Sequence, residues 1–154
     1  MTILITGGTG FVGAATVDHC ARAGAEVVVL AAHAPEPGWL PAGVEVRLAD
    51  IRDAQAIAAV MRERRPRAII HGAAITAGPE MERAHPERIV SVNVGGTAAV
   101  LQAAAEAGCR RVVICSSASV YPLAKADTER FRVDRDPPAP AALYGLTKKM
   151  AEEV

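Results

Sequence analysis

The stretch TGGTGFVG, residues 6–13, decides the fold of this chain. It follows the apolar run 3–5, a predicted strand, and precedes an alanine-rich segment, 14–23, that we predict to be a helix. Gly7 permits a tight turn, Gly10 lets the backbone approach a pyrophosphate, and Gly13 lets the helix pack against the strand. The free N–H groups of the first helical turn would point at the phosphates. An ordinary glycine turn is the alternative, because three glycines alone are weak evidence.

Composition predicts one domain, residues 1–154, with 51% hydrophobic residues and enough chain to bury a core. The 17 basic and 17 acidic side chains cancel, which argues against nucleic acid or a membrane surface as the main partner. The sequence has no apolar stretch of membrane-spanning length and begins with a strand, so we expect a cytoplasmic protein. Cys20, Cys109 and Cys115 lack metal-ligand spacing, and we expect reduced, mostly buried thiols and no metal site.

Apolar strands alternate with helical segments along the chain. Further strands are predicted at 26–30, 44–48, 68–71 and 111–115, and further helices at 53–64 and 86–107, with 75–86 as a loop. Asp53 is the predicted N-cap of its helix. This alternation is typical of an α/β fold, a doubly wound Rossmann-type parallel sheet with helices on both faces.

The segment after the second strand carries no acidic residue. A carboxylate there commonly binds the adenosine ribose in NAD-binding folds, but this chain has Ala31 and His33, which leaves NAD and NADP undecided. Asp50, after the third strand, could bind the adenine amino group or cap its loop. Trp39 could shield an adenine ring or serve as a hydrophobic plug at the surface.

Small residues follow the fourth strand, where Gly72, Ala73 and Ala74 leave room for a ligand at the carboxyl edge of the sheet. His71, just before them, could be a base, but a packed, hydrogen-bonded histidine is the favoured interpretation. Asn93 falls inside the long predicted helix, just before a short Gly95–Gly96 interruption. A buried amide there must be satisfied, so we predict a structural or water-holding role.

Tyr144 and Lys148 lie four residues apart and therefore on one face of a predicted helix. The ammonium, together with a nicotinamide cation, would favour the phenolate form of the tyrosine. A phenolate can take a proton from a substrate hydroxyl while hydride leaves the adjacent carbon. A serine from the cluster 116–119, after the fifth strand, could hydrogen-bond the same oxygen. A surface Tyr–Lys pair is the alternative interpretation.

Taken in order, these motifs resemble the extended short-chain dehydrogenases/reductases, the NAD-dependent epimerase/dehydratase group that includes sugar-nucleotide 4-epimerases. The resemblance covers the whole chain and implies Tyr144 as general acid/base, Lys148 on the nicotinamide ribose and Ser117 polarising the reacting oxygen. It implies substrate contacts from Thr76, Ser117 and Ser119. The cofactor contacts that it implies are Gly7, Gly10, Phe11, Val12, Gly13, Ala31, His33, Asp50, Ile51, Gly72, Ala73, Ala74, Asn93, Cys115, Tyr144 and Lys148.

The function expected from this resemblance is that of an NAD(P)-dependent epimerase, dehydratase or dehydrogenase acting on a sugar nucleotide or related polyol. NAD is the expected cofactor and NADP the alternative. Family members are longer, so we expect the chain to lack a C-terminal substrate lobe, and we expect the full-length form to be a homodimer. The alternative is a truncated, non-catalytic NAD(P)-binding module, against which the intact set of Ser117, Tyr144 and Lys148 argues.

Overall fold

The computed structural model describes residues 1–122, 131–133 and 135–154. Its strands are β1 (Thr2–Thr6), β2 (Glu26–Ala31), β3 (Glu45–Leu48), β4 (Ala68–His71) and β5 (Arg111–Ile114). Its α-helices are α1 (Phe11–Arg22), α2 (Ala54–Arg64), α3 (Pro79–Ala84), α4 (Pro86–Val90), α5 (Gly96–Glu106) and α6 (Leu143–Glu153). A π-helical turn, Ser91–Gly95, joins α4 to α5, and a 3₁₀ turn, Ala118–Val120, follows β5.

The strands form one parallel sheet in the order β3-β2-β1-β4-β5. The chain moves outward from β1 to β3 on one side and then returns to lay β4 and β5 on the other. Thr6 at the end of β1 pairs with Leu30 and with His71, so the strands end together at one edge. Ligands of open parallel sheets bind at this carboxyl edge, where the strand order reverses. Here that point lies between β1 and β4.

Two apolar clusters cover the two faces of the sheet. Alternate residues of β1 point to opposite faces. Leu4 packs with Ile57 of α2 and Val100 of α5, whereas Ile3 and Ile5 pack with Val17 of α1. The prediction of a doubly wound sheet with helices on both faces is therefore confirmed. Within the described residues, no helix has the length and apolarity needed to cross a membrane.

Several predicted bounds were wrong. Helix α1 begins at Phe11, three residues earlier than expected, and β2 continues to Ala31. The segment 75–86 contains α3, which begins with Pro79 and has two glutamates in its first turn, the residue types that favour a helix N-terminus. The helix predicted over 86–107 is instead divided into α4, the π-helical turn and α5. The π-helical turn, which is wider than an α-helical turn, contains the buried Asn93.

Candidate functional site

The turn between β1 and α1 requires glycine at two positions. Gly7 has a positive φ of 70°, and a Cβ there would lie 2.7 Å from the backbone nitrogen of Ala73. A Cβ on Gly13 would lie 2.1 Å from the carbonyl oxygen of Gly7. At Gly13, helix α1 therefore packs directly against the turn, while further along the helix Val17 packs against β1 as the sequence predicted. At Gly10 the nearest such contact is 3.4 Å, so its side of the turn is open to a ligand.

Two adjoining cavities lie at the carboxyl edge of the sheet. The first, about 420 Å³, is lined by Gly7, Thr9, Gly10, Phe11, Val12, Gly13, Gly72, Ala73, Ala74 and Thr76. The second, about 240 Å³, is lined by Ile5, Thr6, Val12, Gly13, Thr16, Ile70, Gly72, Ala74, Thr76, Cys115, Ser116, Tyr144 and Lys148. Because they share five lining residues, the cavities form one cleft that runs from the glycine turn to α6.

Helix α6 presents Tyr144 and Lys148 to the second cavity, as their spacing predicts. Lys148 is only 6% exposed. Within the described part of the chain, no hydrogen bond or ion pair holds its ammonium group. Because Lys148 borders the cavity, its ammonium group can donate hydrogen bonds to a polar ligand bound there.

His71 is part of a directed chain of hydrogen bonds behind this cavity. The Thr97 hydroxyl donates to the Asn93 carbonyl at 2.6 Å, so it must accept from the Nε2–H of His71 at 3.0 Å. The bare Nδ1 then accepts from the Thr6 hydroxyl at 2.7 Å, and that oxygen accepts from the N–H of Ala73.

Burial lowers the pKa of His71 from 6.5 to about 4, with a further contribution from the charge of Lys148. The imidazole is therefore neutral at physiological pH and both of its nitrogens are occupied. The interpretation of His71 as a packed, hydrogen-bonded residue is confirmed, and nothing in this geometry frees it to act as a base.

The Asn93 side chain joins three parts of the site. Its Oδ1 accepts from the N–H of Ile75 at 2.7 Å, and its Nδ2 donates to the carbonyl of Ile75 and to the hydroxyl of Thr147. Thr147 in turn donates to the carbonyl of Tyr144 at 2.8 Å. Asn93 is 2% exposed and fully hydrogen-bonded, which confirms the predicted structural role.

Sequence reasoning missed two residues that position α6. Glu82 of α3 accepts the backbone N–H of Tyr144 at 2.7 Å and so holds the first turn of the helix. A Cβ on Gly145 would lie 2.1 Å from the carbonyl oxygen of Ser119, so only glycine allows this close approach. The sequence did indicate the contact at Gly145, because a glycine beside Tyr144 within a helix is unusual. Nothing in the sequence indicated the role of Glu82.

Ser116 lines both the Tyr144 cavity and a neighbouring depression, whereas Ser117 lines the second and not the first. Ser116 lines the cavity of Tyr144, and its hydroxyl donates to Glu152. Ser117 lines a neighbouring depression of about 620 Å³, and its hydroxyl accepts from the N–H of Ser119. The structure therefore brings Tyr144 and Lys148 together but places Ser117 in the adjoining space. The roles of Ser117 and Ser119 stay predictions.

After β3, Asp50 accepts three hydrogen bonds from Arg52, which lower the pKa of its carboxyl group to about 2. The loop-capping role is thus present, and the adenine contact stays a prediction. Ile51 is buried against Gly96, and Ala31 is also buried, whereas His33 is exposed.

Trp39 reaches the glycine turn from the loop after β2. It is half exposed, and its Nε1–H donates to the carbonyl oxygen of Thr9 at 2.9 Å. The indole is therefore tied to the outer side of the turn, and both of its predicted roles remain compatible with this position.

The family model for the NAD dependent epimerase/dehydratase family matches residues 3–154. The chain belongs to this family. It is 37% identical over 150 residues to a UDP-glucose 4-epimerase of Streptomyces lividans, covering 94% of this chain and 44% of that relative. A UDP-glucose 4-epimerase of Neisseria gonorrhoeae is 32% identical, with coverage of 100% and 47%.

A solved structure of the Thermus thermophilus UDP-glucose 4-epimerase in complex with NAD superimposes with a TM-score of 0.90 at 30% identity. The match covers 99% of this chain and 49% of that one. The chain thus spans about half the length of the relatives it matches. The predicted family and fold are confirmed, and NAD as the expected cofactor agrees with the family.

Proposed function

We propose that this chain is the NAD-binding part of a sugar-nucleotide epimerase. The observation that carries the proposal is the cleft in which Tyr144 and the buried, unpaired Lys148 face the same space as the glycine turn. The names of the relatives support epimerisation over the dehydratase and dehydrogenase alternatives.

Each end of the cleft suits a different part of a dinucleotide. The open side of Gly10 and the first N–H groups of α1 would receive the pyrophosphate, which the helix dipole also favours. At the far end, the ammonium of Lys148 would donate to the ribose beside the nicotinamide. The nicotinamide ring, when bound, supplies the hydride acceptor.

The chemistry that we assign to the chain is proton transfer by Tyr144. Tyr144, which lines the same cavity as Lys148, acts as the general base: its side-chain oxygen takes the proton of a sugar hydroxyl as hydride leaves the carbon that bears that hydroxyl. Returning the hydride to the opposite face of the resulting carbonyl carbon, and the proton to its oxygen, inverts that carbon without net oxidation. Ser117 would polarise the reacting oxygen, and this role requires its hydroxyl to be turned toward the Tyr144 cavity.

Calorimetric titration with NAD(H) and NADP(H) tests the cofactor part of the proposal. We expect NAD to bind and Lys148→Met to weaken binding by about tenfold or more, because a hydrogen bond to a charged group is lost. Lys149→Met is the matched control, since the Lys149 ammonium contacts the carbonyl of Pro138 at 3.4 Å and lines neither cavity. A folded chain that binds neither cofactor would refute the proposal.

The catalytic part is tested in the full-length protein. Tyr144→Phe should abolish turnover of a UDP-hexose while cofactor affinity stays within a few fold of the wild type. Loss of cofactor binding in this variant would show that the tyrosine is structural. Binding of NAD with no turnover by the full-length wild type would favour the non-catalytic binding module.

A further inference from the structure

Cys115 carries a thiol for which the proposed reaction has no use. It directly follows β5, and its backbone N–H donates to the carbonyl of His71 at 3.0 Å. Its Sγ lies 3.8 Å from the position that a Cβ of Gly72 would occupy. The residue is free of disulfides and lines the 240 Å³ cavity together with Tyr144 and Lys148.

Positive charge predominates among the residues that line the cavity around this thiol. Among the residues that line the cavity, Lys148 carries a full charge and none is a carboxylate. Lys148 as a whole is 6% exposed, and its side chain lines the cavity without a hydrogen-bond or ion-pair partner within the described residues, so its charge acts on a ligand inside the cavity. Of the neighbouring titratable groups, His71 is neutral, and Glu152 accepts from Ser116 and lines the adjoining depression.

We propose that Cys115 is a thiol-modification site selective for small anionic thiosulfonates and disulfides. The thiol loses its proton to solvent, and its sulfur attacks the sulfenyl sulfur of the reagent. With a methanethiosulfonate, a protein–reagent disulfide forms, the S–S bond of the reagent breaks, and methanesulfinate leaves with the electron pair. The thiol is oxidised and the sulfonyl sulfur is reduced. The anionic group of the adduct then pairs with Lys148.

One consequence rests on the proposed function. The adduct occupies the space that we assign to the nicotinamide end of NAD, so modification and NAD binding exclude each other. Anion selectivity itself needs only the cavity and its charge. The two parts can therefore fail separately.

The test compares two reagents of similar size, sulfonatoethyl and aminoethyl methanethiosulfonate, on the native chain. Modification rates at each cysteine are measured by peptide mass spectrometry and divided by the rates for the unfolded chain, which removes intrinsic reactivity. We expect the normalised rate at Cys115 to favour the anionic reagent by about tenfold, and this preference to shrink with added salt. A normalised ratio of one, or a preference for the cationic reagent, would overturn the proposal.

Variants of the lysine locate the source of the selectivity. Lys148→Met should abolish the preference at Cys115 and Lys148→Arg should retain it, with far-UV circular dichroism as the check of folding. Cys109, which lies beside Arg110 and Arg111 and does not line the cavity, is the internal reference: its own selectivity should not change in Lys148→Met. A preference that survives Lys148→Met, or a wild-type preference insensitive to salt, would refute the assignment.

Saturating NAD separates the two proposals. Protection of Cys115 but not of Cys109 supports the mutual exclusion. If calorimetry shows that NAD binds while Cys115 reacts at an unchanged rate, the exclusion is refuted. If NAD does not bind at all, the proposed function fails, and the anion selectivity is judged by the reagent ratio alone.

Discussion

Replacement of His71 by glutamine should make the free energy of unfolding less dependent on pH below neutrality. The imidazole is 3% exposed and is locked between two threonine hydroxyls, Thr6 and Thr97. A proton on Nδ1 would face the hydrogen of the Thr6 hydroxyl, which would then have to turn away. Glutamine retains a donor and an acceptor at this site but does not titrate.

The size of the effect follows from the pKa. Burial and the charge of Lys148 lower the pKa of His71 from 6.5 to about 4. Between these pH values His71 is protonated in the unfolded chain but not in the folded chain, so the free energy of unfolding falls as the pH falls. At about 1.4 kcal/mol per pKa unit, the loss amounts to about 3 kcal/mol by pH 4. Above about pH 7.5 this group makes almost no pH-dependent contribution.

The assay is urea unfolding at pH values from 7.5 to 4. His71→Gln should start less stable than wild type at pH 7.5 and lose about 3 kcal/mol less on acidification. Taking the difference between the two proteins cancels the carboxylates, including Asp50, whose lowered pKa stabilises the fold above its ordinary value of 3.8, a contribution that is lost only below that pH. The matched control is His33→Gln, at an exposed loop position, which should retain the wild-type slope. Parallel profiles for wild type and His71→Gln would refute the reasoning.

Three further predictions concern folding, the start of α6 and cofactor choice. Gly13→Ala should destabilise the chain by about 3 kcal/mol because its Cβ would overlap a carbonyl oxygen at 2.1 Å. Gly10→Ala, whose Cβ has its nearest contact at 3.4 Å, should change stability by less than about 1 kcal/mol. It should nevertheless impair NAD binding, because the added methyl group would occupy the open side of the turn. Urea unfolding and calorimetry distinguish them, and equal destabilisation would contradict the steric argument. Glu82→Ala should cost about 1 kcal/mol by removing the acceptor at the first turn of α6, and Glu82→Gln should cost less, as thermal unfolding would show. Ala32→Asp places a carboxylate at an exposed position after β2 and should raise the affinity ratio of NAD over NADP in calorimetry, and an unchanged ratio would mean that the ribose is recognised elsewhere.

The sequence predicted β1, β2 and β4 well because they are short apolar runs that the fold buries, whereas β3 showed itself by its alternating pattern. Helix α2 was also placed correctly, since its start depends on a local contact: the Asp53 carboxylate accepts from the N–H groups of Gln55 and Ala56. The pairing of Tyr144 with Lys148 followed from helical spacing alone. Local rules were sufficient wherever the interaction that matters joins residues close in sequence.

The remaining errors come from contacts between distant residues. Helix α3 is too short and too polar to show an apolar period, and its Glu82 meets Tyr144 across 62 positions of sequence. The close approach of Gly145 to Ser119 likewise depends on how α6 docks. The environment of Ser117 depends on the same docking, so a position four residues before Tyr121 could not tell which depression it lines.

The amide of Asn93 has a mechanical consequence. It grips both backbone groups of Ile75 and, through Thr147, the second turn of α6. The loop after β4 and the helix that carries Tyr144 are therefore both hydrogen-bonded to Asn93, and we expect them to unfold locally as one cooperative unit. In native-state hydrogen exchange, the amides of Ile75 and of α6 should share one opening free energy. A ligand that contacts only the loop after β4 should therefore also slow amide exchange in α6.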